Sequence, residues 1–188
     1  DSSREMDLSI TGTSIIFLKG NDYLISNLLM SLLIAFVIIS LLMASIFKSM
    51  RMIVISIIPN LIPLLFTAGI MGFFGVNFKP STVLVFSVAF GIAVDFSIHF
   101  LTKYKMELKN SMTIAEAVSK VQKEISTSMI YTAIILFFGF IIFVFSDFGG
   151  TIALGLFTAL TLLIALLSNL LLLPCLLLSY DIAKEKRS

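Results

Sequence analysis

Five apolar stretches, each long enough to cross a hydrocarbon core, constrain this chain more than any other feature. They run approximately over residues 24–47, 52–76, 81–101, 127–145 and 151–178, and about 20 apolar residues suffice to span a bilayer as a helix. Only 13% of residues are charged and 59% are hydrophobic, against roughly 25% charged in soluble domains. The sequence therefore predicts an all-α integral membrane protein with five transmembrane helices.

The segments between the spans set the rest of the expected architecture. Leu8 to Leu18 is a β-leaning run, broken by Gly12 and closed by Lys19-Gly20-Asn21-Asp22, which predicts a short strand and a turn at the end of a soluble domain over 1–22. Residues 23–180 form the membrane domain and 181–188 a basic tail. Within the connection after the third span, Thr113 and Glu116 have capping-box spacing, and Ile114, Val118, Val121 and Ile125 recur at helical intervals. That pattern predicts an amphipathic helix over 113–126 lying on the membrane face. Ser146 to Gly150 reads as a tight turn that makes the last two spans a hairpin.

Charge placement orients the chain. Lys48, Arg51, Lys103, Lys105, Lys109, Lys120, Lys123, Lys184, Lys186 and Arg187 fall on one side, and Arg4, Lys19 and Lys79 on the other. By the positive-inside rule the tail is cytoplasmic and the N-terminal strand outside. A first helix entered from outside needs something upstream to carry residues 1–22 across. With an Asp at position 1 and no signal-peptide pattern, the chain is expected to be a piece of a longer protein.

One span carries titratable groups. In Phe90 to Phe100, FGIAVDFSIHF, Asp95 and His99 sit in a run otherwise suited to lipid, and an ionisable side chain there costs at least ~2.5 kcal/mol to insert. Ser87, Gly91, Asp95 and His99 are each four apart, so they share one broad helix face. An acid so placed can load and unload a proton, and a histidine beside it can relay that proton. The alternative for Asp95 is a static carboxyl that fixes helix packing, and for His99 a satisfied interfacial side chain.

Other spans offer supporting groups. Ser128, Tyr131 and Thr132 lie early in the fourth span, and Asn169 lies in the fifth, where burial calls for a partner helix. Serine and threonine in such helices often only bond back to their own backbone. Pro59 and Pro63 free backbone carbonyls in the second span and predict a kink, and Gly69, Gly72, Gly91 and Gly139 are candidates for close helix packing.

Several classes are excluded. The lone Cys175 offers neither a disulfide framework nor a metal cluster. There is no nucleophile with a base at usable spacing and no nucleotide motif, so no enzyme and no cofactor are expected. No basic patch interleaved with aromatics points to nucleic acid.

The stretches IIPNLIPLLFTAGIMGFFGV (Ile57 to Val76), GIAVDFSIHF (Gly91 to Phe100), Gly139-Phe140, FSDFG (Phe145 to Gly149) and NLLLLPCLLL (Asn169 to Leu178) together resemble the MMPL-type exporters of the resistance-nodulation-division superfamily. The same helix block is similar to the sterol-sensing domain of Patched-like proteins. The resemblance covers roughly Ile10 to Tyr180. It implies two parallel six-helix units, each interrupted by a large extracytoplasmic domain, with this chain as the C-terminal half. Residues 1–22 would then close a porter-like domain, and the missing N-terminal half of the same polypeptide would be a partner. The resemblance further implies export of lipids or other hydrophobic compounds across a bacterial inner membrane, driven by proton entry. Asp95 would be the proton carrier, with His99 beside it.

This sequence has Phe96 where many members of that family have Tyr after the acid, and Asn169 where many have Asp. Two other readings remain open: a lipid-binding or scaffolding domain of sterol-sensing type, and a SecD/SecF-type translocation accessory. Homo-oligomerisation is a further open possibility.

Overall fold

The computed structural model describes residues 13–47, 50–76, 79–110 and 113–185. They form six α-helices: α1 (Thr13–Phe47), α2 (Met50–Phe73), α3 (Pro80–Lys109), α4 (Ile114–Ile141), α5 (Gly149–Leu167) and α6 (Leu173–Glu185). A 3-10 turn, Ile142–Phe145, extends α4, and a π-helical turn, Ser168–Leu172, joins α5 to α6 without a break. Five of these continuous helical segments are long and apolar enough to cross a membrane.

Local chemistry sets the helix ends. Glycine at position 75 has φ +64, and Val76 N–H donates to Met71 O while Gly75 N–H donates to Gly72 O, the Schellman pattern that stops α2. Pro80 stands in the first turn of α3, where a missing N–H costs nothing. The expected capping box opens α4: Glu116 N–H donates to Thr113 Oγ1 at 3.3 Å, and Thr113 N–H donates to Glu116 Oε2 at 3.0 Å.

The helices are not equivalent. Over half of the apolar window of α3 is buried (56%), and α5 follows at 50%, against 6% for α1. α3 and α5 thus form the centre, with α1, α2 and α4 around them. At the lysine-rich end, Phe100, Leu101 and Tyr104 of α3 pack with Met43, Val118, Val121, Leu173 and Leu177. At the other end Phe86 and Val85 meet Met71 and Phe157. In lipid such packing gains dispersion rather than water release, so close fit matters more than apolar area.

Two sequence expectations are corrected here. Residues 13–18, expected in a strand, are the first turns of α1, and residues 8–12 of that expected strand lie outside the described residues. Once a long apolar helix has nucleated, each added residue gains a hydrogen bond, which overrides a weak local β preference. The amphipathic segment 113–126 is not a separate helix lying on the membrane but the beginning of α4, continuous with the fourth span. Its apolar stripe covers protein: Val118 and Val121 are buried in the core, with Ile114 and Ile125 packed against it.

α3 spans 30 residues, about 45 Å at ~1.5 Å per residue, more than the ~30 Å hydrocarbon core requires. The surplus carries Lys103 and Glu107 beyond the apolar run and places them against the start of α4. Glu107 accepts from Lys120 Nζ at 2.7 Å and lies 3.4 Å from Lys103 Nζ.

Candidate functional site

α3 presents two faces with different chemistry. The inward face is Ala89, Phe90, Ala93, Phe96, Ser97 and Phe100, all buried. The outward face carries the expected ladder. His99 Nε2 lies 3.4 Å from Asp95 Oδ1, and the side chains are 69% and 61% exposed. Asp95 is therefore not buried inside the five helices, as its apolar surroundings in sequence implied. It projects from their surface, where the bundle alone leaves it uncovered.

The ladder continues past His99 with Lys103 and Glu107. Side-chain exposure falls along it to 33% at Lys103 and 5% at Glu107. The cause is geometric: four residues advance 400°, so each step drifts about 40° and three steps turn the stripe by about 120°. The stripe starts on open surface and ends in the seam between α3 and α4.

Beside Asp95 and His99 lies a groove of about 220 Å³ between α3 and α4, lined also by Phe96, Glu124, Ser128 and Thr132. Ser128 and Thr132 thus reach the same place as the acid, while Thr132 Oγ1 donates back to Ser128 O at 3.0 Å. Tyr131, on the same helix, is exposed and does not line the groove. Ser87 is half-buried one turn above Gly91. Glu124 enters from α4, with Oε2 2.9 Å from Lys103 Nζ.

Asn169 lies elsewhere, on the inward side of α3. It is fully buried, and its Nδ2 donates to Ala165 O at 3.0 Å and Ala93 O at 3.3 Å. Ser97 Oγ is 2.6 Å from Asn169 Oδ1 and 3.0 Å from Asn60 Oδ1. A hydroxyl has one proton, so Ser97 serves these two acceptors alternately. This neutral seam joins α2, α3 and the π-turn two residues from Asp95, on the opposite face.

The prolines have a structural use. α2 continues helically through both Pro59 and Pro63. Pro63 lacks the N–H that would reach the carbonyl of Pro59, and Ser168 Oγ supplies the donor at 2.7 Å. Pro174 likewise leaves Leu170 O open, and Gln122 Nε2 donates to it at 3.1 Å. The glycines expected at helix crossings are not used there: a Cβ on Gly69, Gly72, Gly91 or Gly139 would meet nothing within 4 Å. Close approach falls on Gly155, whose Cβ would lie 2.6 Å from both Phe140 O and Phe143 Cβ.

The sequence pattern of the MMPL family matches residues 2–183, nearly the whole chain. The chain belongs to the MMPL family. It is also similar to the membrane protein MJ1562 of Methanocaldococcus jannaschii, at 27% identity over 124 residues, which is 66% of this chain and 32% of that protein. The chain thus spans about a third of the length of that relative.

Within this MMPL helix block, sequence reasoning singled out Asp95, His99, Ser128, Thr132 and Asn169, and did not single out Asn60, Ser97, Glu124 or Thr67, whose hydroxyl lies 2.7 Å from that of Thr161. Asn60 carried a usable signal: it is an amide between two prolines in a spanning run, as costly to leave unpaired as Asn169. Ser97 carried none, since a lone serine in an apolar helix is satisfied by its own backbone.

Proposed function

We propose that the chain is the transmembrane half of an exporter that moves lipids or other hydrophobic compounds at the expense of proton entry, with Asp95 as the proton-carrying group and His99 as its neighbour in the relay. The observation that carries this reading is the Asp95–His99 pair, 3.4 Å apart on an apolar spanning helix and facing out of the bundle. Two polar clusters buried within the bundle among the described residues, around Asn169 and Thr161, are neutral and lock helices together. An acid and a base placed outward on the central helix are suited instead to meet a second helix block, where desolvation would make proton loading consequential.

An apolar groove of about 470 Å³ between α2, α4 and α5, lined by residues such as Phe74, Phe137, Ile141 and Leu160, supports a hydrophobic cargo. In the full-length protein, Asp95→Asn should insert normally and lose proton-dependent export of a fluorescent phospholipid from proteoliposomes. Retained export would remove the proposal. Unchanged phospholipid binding with no proton flux in either form would favour the lipid-binding reading.

A further inference from the structure

We propose that Glu124 of α4 is the next proton-bearing group after His99, passing protons from the Asp95–His99 pair to solvent at the lysine-rich end. The inference rests on the exporter reading above and extends it to a residue on a different helix.

Three observations place Glu124 on that path. It lines the same groove as Asp95 and His99, whose volume of about 220 Å³ exceeds several times the ~30 Å³ that one water occupies in the liquid. Ser128 and Thr132 furnish hydroxyls along the groove wall, so water between the titratable groups has polar partners. Glu124 also stands at the groove's exit, where its side chain is 43% exposed and its carboxylate lies 2.9 Å from Lys103.

Lys103 gives the site its direction. Its ammonium lies 2.9 Å from the Glu124 carboxylate and holds it at the groove, and the same lysine lies 3.4 Å from Glu107, which binds Lys120. The groove and the ion pairs bring Asp95, His99, Lys103 and Glu107 of α3 near Glu124, and Lys120 and Lys123 lie along α4 beside it. The transfer is a plain proton exchange. The imidazolium of His99 gives its proton through groove water to the Glu124 carboxylate, leaving neutral imidazole, and the resulting acid gives it to bulk water and returns to the carboxylate paired with Lys103.

The test uses the full-length protein in proteoliposomes of phosphatidylethanolamine and phosphatidylglycerol, with a fluorescent phospholipid as cargo and a pH dye reporting proton movement. Glu124→Gln should reduce proton-driven export roughly tenfold or more, the scale on which one proton-transfer group acts. Raising the concentration of a small weak-acid buffer such as acetate on the lysine-rich side should restore it, since a mobile acceptor replaces the missing carboxylate. Glu124→Asp should keep most of the activity, and the parent should be indifferent to the buffer.

Export by Glu124→Gln equal to the parent, or a loss that neither acetate nor Glu124→Asp relieves, overturns the proposal; the second result would mark Glu124 as only a strut for Lys103. Asp95→Asn, run in parallel, separates the two claims. If it abolishes export while Glu124→Gln does not, only the role of Glu124 falls. If Asp95→Asn exports normally, the exporter reading falls with it.

Discussion

Ser168 Oγ donates to the carbonyl of Pro59 at 2.7 Å, the carbonyl that Pro63 deprives of its helical donor. The π-turn thus repairs a defect in α2, and the proline-containing stretch of α2 becomes dependent on that turn rather than merely adjacent to it. Replacing Ser168 by Ala should leave that buried acceptor unpaired and destabilise the block by about 1 kcal/mol, between the value for interhelical bonds in membranes and the cost of an orphaned buried acceptor. The thermal midpoint of the purified full-length protein measures this; a midpoint equal to the parent's would show that Pro59 O finds another donor.

Asn169→Asp tests the neutral seam. The neutral acid retains an acceptor for Ser97, but the amide hydrogens given to Ala93 O and Ala165 O are lost. Once ionised, the group is a charge with no cation beside it among the described residues of the seam, an arrangement that costs several kcal/mol. The variant should be less stable than the parent at every pH and should lose further stability as pH rises and the acid ionises. Thermal unfolding across a pH series reads both effects, and a pH-independent difference would contradict the account.

Gly155→Ala should be damaging where Gly139→Ala is tolerated. The first adds a methyl 2.6 Å from a backbone oxygen of α4, and the second adds one to open space. Overpacking of this kind costs typically 1–3 kcal/mol, while alanine at Gly139 gains helix propensity. Comparing folded yield in membranes and thermal midpoints of the two variants decides it, and equal behaviour would mean that the α4–α5 hairpin yields without strain.

How much of this was readable beforehand depends on what each signal encodes. The spans were legible because nothing but a helix satisfies twenty residues of backbone in lipid, and Asp95 stood out because its cost in such a run is large. Spacing also showed correctly that Ser87, Gly91, Asp95 and His99 share a face. It could not show which way that face points, because a ladder of equal steps looks the same turned inward or outward. The stripe of Ile114, Val118, Val121 and Ile125 was misassigned to the membrane surface for a related reason: a period of 3.6 reveals that one side is covered, not by what. The β-leaning residues near Thr13 were overruled by the helix that follows them. The glycines failed as markers because small size permits a close crossing without requiring one, and Gly155 differs from Gly139 only through what its neighbour helix does.

The π-turn at Ser168–Leu172, with Leu173 N–H bonded to Ser168 O, amounts to a single residue inserted into an otherwise regular helix. Each residue of an α-helix advances about 100°, so removing one residue there would restore α-helical hydrogen bonding and swing all of α6 by that angle. Leu173 and Leu177 would leave the core, and Asn169 or Ser168 would lose its register against α2 and α3. In comparisons among relatives this five-residue window is therefore where a one-position gap is expected. A relative carrying that gap should also lack the serine–carbonyl and serine–amide partnerships that the extra residue makes possible.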